Sequence, residues 1–143
     1  MNAEELEARY RRQSHRSRTF FERGRYYTAG AAKGAYHYSP YPLTMDRGES
    51  CYLWDVDGRR YVDYGNHHTA QILGHAHPAV AASVQAQLQK GIALGAPTGI
   101  ESEIARAMCR RVDSLERIRF VNSGTEATLH AIRLARGFSQ RGK

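Results

Sequence analysis

The 143-residue sequence is poor in lysine and cysteine and has no long apolar run. Each of these scarcities excludes or limits a class of site or protein. Only three of its 21 basic residues are lysine, so arginine carries almost all of the net charge of +7. Its two cysteines, Cys51 and Cys109, match no metal-ligand spacing, and we expect two reduced, packed thiols. No segment is apolar enough to span a bilayer, and Glu4, Glu5 and Glu7 stand where a secretory signal would be apolar. We therefore expect a cytoplasmic protein without a membrane partner.

Residues 1–25 are the most basic segment, with seven arginines against four glutamates, and we expect a basic amino-terminal helix there. Clustered arginine can neutralise the phosphates of nucleic acid, which would make DNA binding salt-sensitive and dependent on this segment. A solvated helix that is partly salt-bridged explains the same composition. We favour the second interpretation and expect no nucleic-acid partner.

Three short segments of strand-like composition follow a loop at 26–42. Between the second and the third, Asp57-Gly58 predicts a hairpin turn, because glycine accepts the positive φ that tight turns require. In the second half, helices alternate with one further strand. The predicted strands are 42–46, 51–55, 60–64 and 118–121. Three helices are predicted in the second half: the first begins at Pro78 and ends at Gly91, and the others are 101–111 and 125–138.

Residues 65–77 are irregular and contain four histidines. A metal site needs ligands at defined spacing, and neither a nearby cysteine nor a regular interval supports one here, so we expect no metal. His77 precedes Pro78 and is expected to be the cap of that helix or a hydrogen-bonding loop residue. Substrate contact is the open alternative for two of the others, His67 and His68.

The segment that best indicates a binding site is Ser123-Gly124-Thr125, a tight turn between the predicted strand and the last helix. The free amides of a first helical turn and the helix dipole together favour an anion. Glycine lets a phosphate approach the backbone, and the two hydroxyls can donate to its oxygens. A plain helix cap by Ser123 or Thr125 explains the same pattern, so both interpretations stand at this point.

Three blocks of sequence, in order and suitably spaced, resemble the class III aminotransferases of pyridoxal 5′-phosphate (PLP) fold-type I. The resemblance is strongest to the glutamate-1-semialdehyde 2,1-aminomutase group and extends to the β-amino acid aminotransferases. It covers residues 40–143. The blocks are Tyr52-Leu53-Trp54-Asp55-Val56-Asp57-Gly58, Ile72-Leu73-Gly74-His75-Ala76-His77-Pro78 and Arg119-Phe120-Val121-Asn122-Ser123-Gly124-Thr125-Glu126-Ala127-Thr128.

The resemblance implies the fold and the function of an amino-terminal portion of such an enzyme. It implies an α/β fold, in which a small α+β domain is followed by the first strand-turn-helix of the large domain. It also implies that Ser123, Gly124 and Thr125 hold the PLP phosphate. The substrate would be a small amino acid or amino ketone, and the full-length enzyme a homodimer. The implied domains are the basic helix at 1–25, a small-domain segment with the hairpin and a substrate-side loop at 26–95, and the start of the PLP-binding domain at 96–143.

The sequence departs from the family in two respects. The lysine that bonds covalently to PLP lies well downstream of the phosphate turn in the family and is not in this chain, so we assign no catalytic residue. The aminomutase arginine for the substrate carboxylate is also missing, and Lys33 is the cation nearest to its place. We therefore expect Lys33 and His67 to be the substrate contacts. The alternative is a truncated, inactive chain that serves as a binding module and is weakly stable alone.

Overall fold

The structure is a computed structural model that describes residues 2–28 and 39–141. Its chain divides into two compact units, Met1–Lys90 and Gly91–Lys143. Lys33, one of the two predicted substrate contacts, lies outside the described residues.

The basic amino-terminal segment forms two helices, α1 (Ala3–Gln13) and α2 (His15–Gly24), where we predicted one. The break falls at Ser14, whose hydroxyl bonds to the Tyr10 carbonyl at 2.6 Å and lies 3.2 Å from the Tyr41 hydroxyl. These bonds compete with a continuous helix, as serine side chains often do. Two arginines pair with glutamates along the helices, which agrees with a partly salt-bridged segment; the pairs are Arg11–Glu7 and Arg18–Glu22.

A three-stranded antiparallel sheet follows, in the order β1 (Met45–Glu49), β2 (Tyr52–Asp55), β3 (Arg60–Val62). Leu53 stands opposite Gly48 on one side and Tyr61 on the other. The predicted hairpin turn is confirmed, with Gly58 at φ +85° and its amide bonded to the Asp55 carbonyl.

The core of this unit centres on Tyr41, which is 2% exposed and, with Val56, makes up the buried apolar side chains of the described residues. Its ring lies 5.3 Å from that of Tyr10, whose hydroxyl donates to the Tyr41 carbonyl at 2.7 Å. Beneath the hairpin, buried Asp55 accepts the Tyr61 hydroxyl at 2.7 Å. Burial and this hydrogen bond raise the pKa of Tyr61 to about 12.

Past the sheet come α3 (Asn66–Thr69), a single turn, and α4 (Pro78–Leu88). Pro78 is at the start of α4, as predicted, because its fixed φ suits a first helical turn and its missing amide is not needed there. Cys51 is exposed rather than packed, since it lies at the β1–β2 connection, and both cysteines are free thiols.

The second unit contains α5 (Gly99–Cys109) and α6 (Gly124–Ser139). The predicted strand at 118–121 is wrong, because no strand forms there among the described residues. A β-strand needs a hydrogen-bonded neighbour, and all three strands in the described ranges belong to the other unit. Among the helices described, none has the length and apolar character to cross a membrane.

Candidate functional site

The predicted phosphate turn is the amino terminus of α6, and Ser123 is its cap. Ser123 has extended backbone angles, and its hydroxyl oxygen accepts the Glu126 amide at 3.1 Å. The Glu126 carboxylate in turn accepts the Asn122 amide at 3.0 Å. The cap interpretation is therefore correct for Ser123. A cap does not exclude an anion, because the hydroxyl that accepts the amide still has its own hydrogen to donate.

The turn keeps several donors free for a phosphate. The amides of Gly124 and Thr125 open the helix and have no acceptor within it, since the first amides of any α-helix lack one. Ser123, Gly124 and Thr125 are all exposed. A Cβ built on Gly124 would meet nothing within 4 Å, so protein packing does not require glycine there. These residues fit a phosphate, with two amides, two hydroxyls and the positive end of a 16-residue helix.

A second feature of α6 was missed by the sequence analysis. A concave surface of about 530 Å³ beside the helix is lined by the cations Arg119 and Arg133, by His130 and by apolar residues that include Val121 and Leu134. His130 lies 3.8 Å from the carboxylate of Glu126. Helical spacing places residues 127, 130, 131 and 134 on one face, which was the available signal, but only the structure brings Arg119 and Val121 beside them.

The four-residue turn α3 carries the predicted substrate contact His67. Its residues Asn66, His67, His68 and Thr69 have φ of +42°, +47°, +56° and +69°. Four successive non-glycine residues in the left-handed region cost roughly 1–2 kcal/mol each. The His67 and His68 side chains are exposed, with ring centroids 6.2 Å apart.

Asp63 and His75 lie at the two ends of the loop that contains α3. Their side chains meet at 2.7 Å, His75 Nε2 to Asp63 Oδ2, with 18% and 12% of the side chains exposed. The other carboxylate oxygen of Asp63 accepts the Asn66 amide at 2.9 Å. The hydrogen bond from His75 lowers the pKa of Asp63, and that from Asn66 adds to the effect.

His77 occupies the cap position of α4, as predicted, but its side chain makes no capping hydrogen bond. Its buried Nδ1 has no partner among the described residues. Within residues 2–28 and 39–141, no three histidine, cysteine, aspartate or glutamate side chains are grouped as a metal ion would require.

Comparison with known proteins gives one consistent result. The sequence profile of the class-III aminotransferases matches residues 34–143. A glutamate-1-semialdehyde 2,1-aminomutase from Chloroflexus aurantiacus is 52% identical over 100 residues, which are 70% of this chain and 23% of that protein. The chain thus spans about a quarter of this curated relative.

Solved structures agree with the sequence match. A β-phenylalanine aminotransferase from Variovorax paradoxus superposes with a TM-score of 0.90 at 38% identity, over 96% of this chain and 32% of its own. A transaminase solved with PLP bound superposes at 0.87 with 34% identity, over 91% of this chain and 31% of its own. The predicted fold class is confirmed, and the alternative of an inactive binding module is not favoured.

Proposed function

The chain belongs to the class-III aminotransferase family, and from this we propose that it is the amino-terminal part of a PLP-dependent aminotransferase or aminomutase. The observation that carries the proposal is the Ser123-Gly124-Thr125 turn, where exposed donors converge at the start of a long helix. The turn lies within residues 34–143, which the family profile matches, and a transaminase solved with PLP bound superposes on 91% of the chain.

Each residue of the turn has a distinct part in holding the PLP phosphate. The Gly124 and Thr125 amides bind phosphate oxygens, and glycine at the first helical position leaves the approach open. The Ser123 and Thr125 hydroxyls donate to the same oxygens, while the Glu126 amide holds the Ser123 oxygen in place. When bound, PLP supplies the electron sink that stabilises negative charge on the substrate carbon.

The substrate is a small amino acid or amino ketone, and His67 and Lys33 contact it. His67 is exposed on a turn whose backbone has an unusual conformation, as functional residues often have. Lys33 would bind a carboxylate as a point charge. We further propose a cytoplasmic homodimer that binds neither nucleic acid nor membrane, and that the domain boundaries predicted from the sequence apply.

The proposal is tested by titrating the chain with PLP, with inorganic phosphate and with pyridoxal, which lacks the phosphate. We expect the amide signals of Gly124 and Thr125 to shift with the first two and not with pyridoxal. Gly124→Ala should abolish these shifts. Gly137→Ala is the matched control, since a Cβ at this other α6 glycine also meets open space. Equal responses to phosphate and pyridoxal, or an unchanged titration in Gly124→Ala, would refute the proposal.

A further inference from the structure

The loop from Asp63 to His75 begins and ends on one hydrogen-bonded pair of side chains. His75 Nε2 and Asp63 Oδ2 are 2.7 Å apart, and both side chains are largely buried. An ionised carboxylate only accepts hydrogen bonds, so the Nε2 of His75 must be the donor. The pair therefore joins two residues twelve positions apart with a charge-assisted hydrogen bond, one of the stronger kinds available.

The same pair is anchored to the sheet. Ser50, which directly follows β1, exchanges two backbone hydrogen bonds with His75, of 2.9 and 2.8 Å. The His75 ring lies so close to Gly48 that a Cβ on that residue would stand 2.6 Å from the ring carbon Cγ. The His75 backbone is thus bonded to Ser50, and its ring packs against Gly48 of β1. Only glycine at position 48 leaves room for the ring.

Inside the loop, Asp63 is bonded directly to the first residue of the left-handed turn α3. Asp63 accepts the Asn66 amide with the oxygen that does not face His75, at the residue where the left-handed run begins. The His68 amide then bonds to the Gly65 carbonyl at 2.9 Å, and the Gly74 amide to the Gln71 carbonyl at 2.8 Å. A left-handed run of four non-glycine residues persists only where surrounding contacts over-determine it.

We propose that Asp63 and His75 are positioning residues that lock the loop 63–75 in one conformation and thereby set the place of His67. That the locked loop serves substrate binding rests on the function proposed above. Neither side chain touches the substrate in this proposal. They act through Asn66 and the left-handed turn that follows it.

Three variants of His75 separate a hydrogen-bonding role from a packing role. His75→Ala removes both, His75→Gln keeps an N–H donor, and His75→Phe keeps a ring over Gly48 without a donor. The measurement is amide hydrogen exchange in 64–74, with 52–62 as the internal reference for a folded hairpin. We expect exchange in the loop to rise by about 10-fold in His75→Ala and His75→Phe, which is the weight of one lost hydrogen bond, and to be largely restored in His75→Gln.

Tyr61→Phe is the matched control, because it removes a hydrogen bond of the same length from the same sheet, to Asp55 instead of Asp63. It should raise exchange in 52–62 and leave the loop unchanged. Asp63→Ala alone and the double variant Asp63→Ala with His75→Ala should raise exchange in the loop by the same factor. The effects of two residues that act as one unit do not add. Rescue by His75→Phe, or additive effects, would overturn the proposal. Should His75→Ala unfold the unit, the Gln and Phe variants still decide it.

A parallel titration keeps this inference separate from the proposed function. The His67 ring signals are followed while β-phenylalanine is added to the parent chain, to His75→Phe and to His75→Gln. We expect a response in the parent that is lost in the Phe variant and recovered in the Gln variant. A parent without a response counts against substrate contact by His67, whereas the exchange data then still confirm or overturn the lock itself.

Discussion

The two units of the chain differ in how their apolar side chains are covered. In Met1–Lys90, the apolar side chains of Tyr41 and Val56 are buried, and so are the polar side chains of Ser14, Ser17 and Asp55. In the described part of Gly91–Lys143, no side chain is buried. Its helices expose a large fraction of every apolar residue on one face; on α5 and just after it these are Ile100, Ile104, Met108 and Val112.

The two candidate sites therefore depend on different kinds of contact. The loop with His67 is held by hydrogen bonds to a sheet within its own unit. The predicted phosphate turn is shaped by local capping contacts of Ser123 and Glu126, which do not need a buried core. Large exposed apolar faces mark surfaces that contact another protein, a membrane or a ligand.

The largest expected effect comes from truncating the core of the first unit. Tyr41→Ala should lower the free energy of unfolding by about 3–5 kcal/mol, as is typical for large aromatic side chains in cores. Phe138→Ala removes a ring that is 92% exposed, and should change the stability by less than about 0.5 kcal/mol. Urea unfolding followed by circular dichroism measures both. Similar losses in the two variants would contradict the contrast between the units.

A smaller loss is expected where the hairpin holds the helix α2. The Asp57 carboxylate accepts the amides of Arg16 and Ser17 at 2.9 and 3.1 Å and the Ser17 hydroxyl at 3.1 Å. Asp57→Ala should therefore cost about 1–2 kcal/mol, the weight of a lost helix cap.

The control for this variant is Asp46→Ala on the exposed surface of β1, which should change little. The same unfolding measurement applies to both. An Asp57→Ala chain as stable as the parent would show that α2 does not depend on the hairpin.

Acid should weaken the first unit through the same carboxylates. Burial tends to raise the pKa of Asp57, but the hydrogen bonds from Arg16 and Ser17 and the nearby His15 outweigh it, so this pKa is lowered. The pKa of Asp63 is lowered by His75. The stability from both groups is present above about pH 4, where unfolded carboxyls ionise, and is lost as the pH falls through the folded values.

Unfolding free energies measured from pH 7 down to pH 2 check this expectation. Asp57→Asn should flatten the dependence below pH 4, and Asp46→Asn should not. A parent whose stability rises on acidification would contradict the assigned pKa directions.

The smallest expected effect lies in the second unit. Gly137→Ala replaces an interior glycine of α6 at a position with open space, and should stabilise that helix by up to about 1 kcal/mol. Amide exchange within 124–139 measures it, with 52–62 as the reference. Slower exchange in both regions would show that the units unfold together, and a change confined to α6 would show that they unfold separately.

Features governed by short-range chemistry were predictable. Pro78 starts a helix, Gly58 turns a hairpin, and Ser123 caps α6, each within a few residues of the predicted place. The matched family was also recognisable from three motifs, because it shares their residues in order. The strand at 118–121 was wrong because its apolar residues carry strand propensity, which has no effect without a neighbouring strand to pair with.

Contacts between distant residues could not be read in the same way. The single helix predicted at 1–25 breaks at Ser14, where Tyr41 and Asp57 supply partners from 27 and about 40 residues away. The contacts of His75 could not be predicted for the same reason. Its partners Asp63, Ser50 and Gly48 come from two other segments, and no local spacing joins them.

The local elements of this protein and the donors of its predicted phosphate turn follow from the sequence alone, because caps, turns and first helical turns depend on neighbours within about four residues. The end of α1 and the contacts of the loop that carries His67 follow only from the folded chain. Those outcomes depend on hydrogen bonds between residues 12 to 41 positions apart, which exist only once the sheet and the helices have packed together.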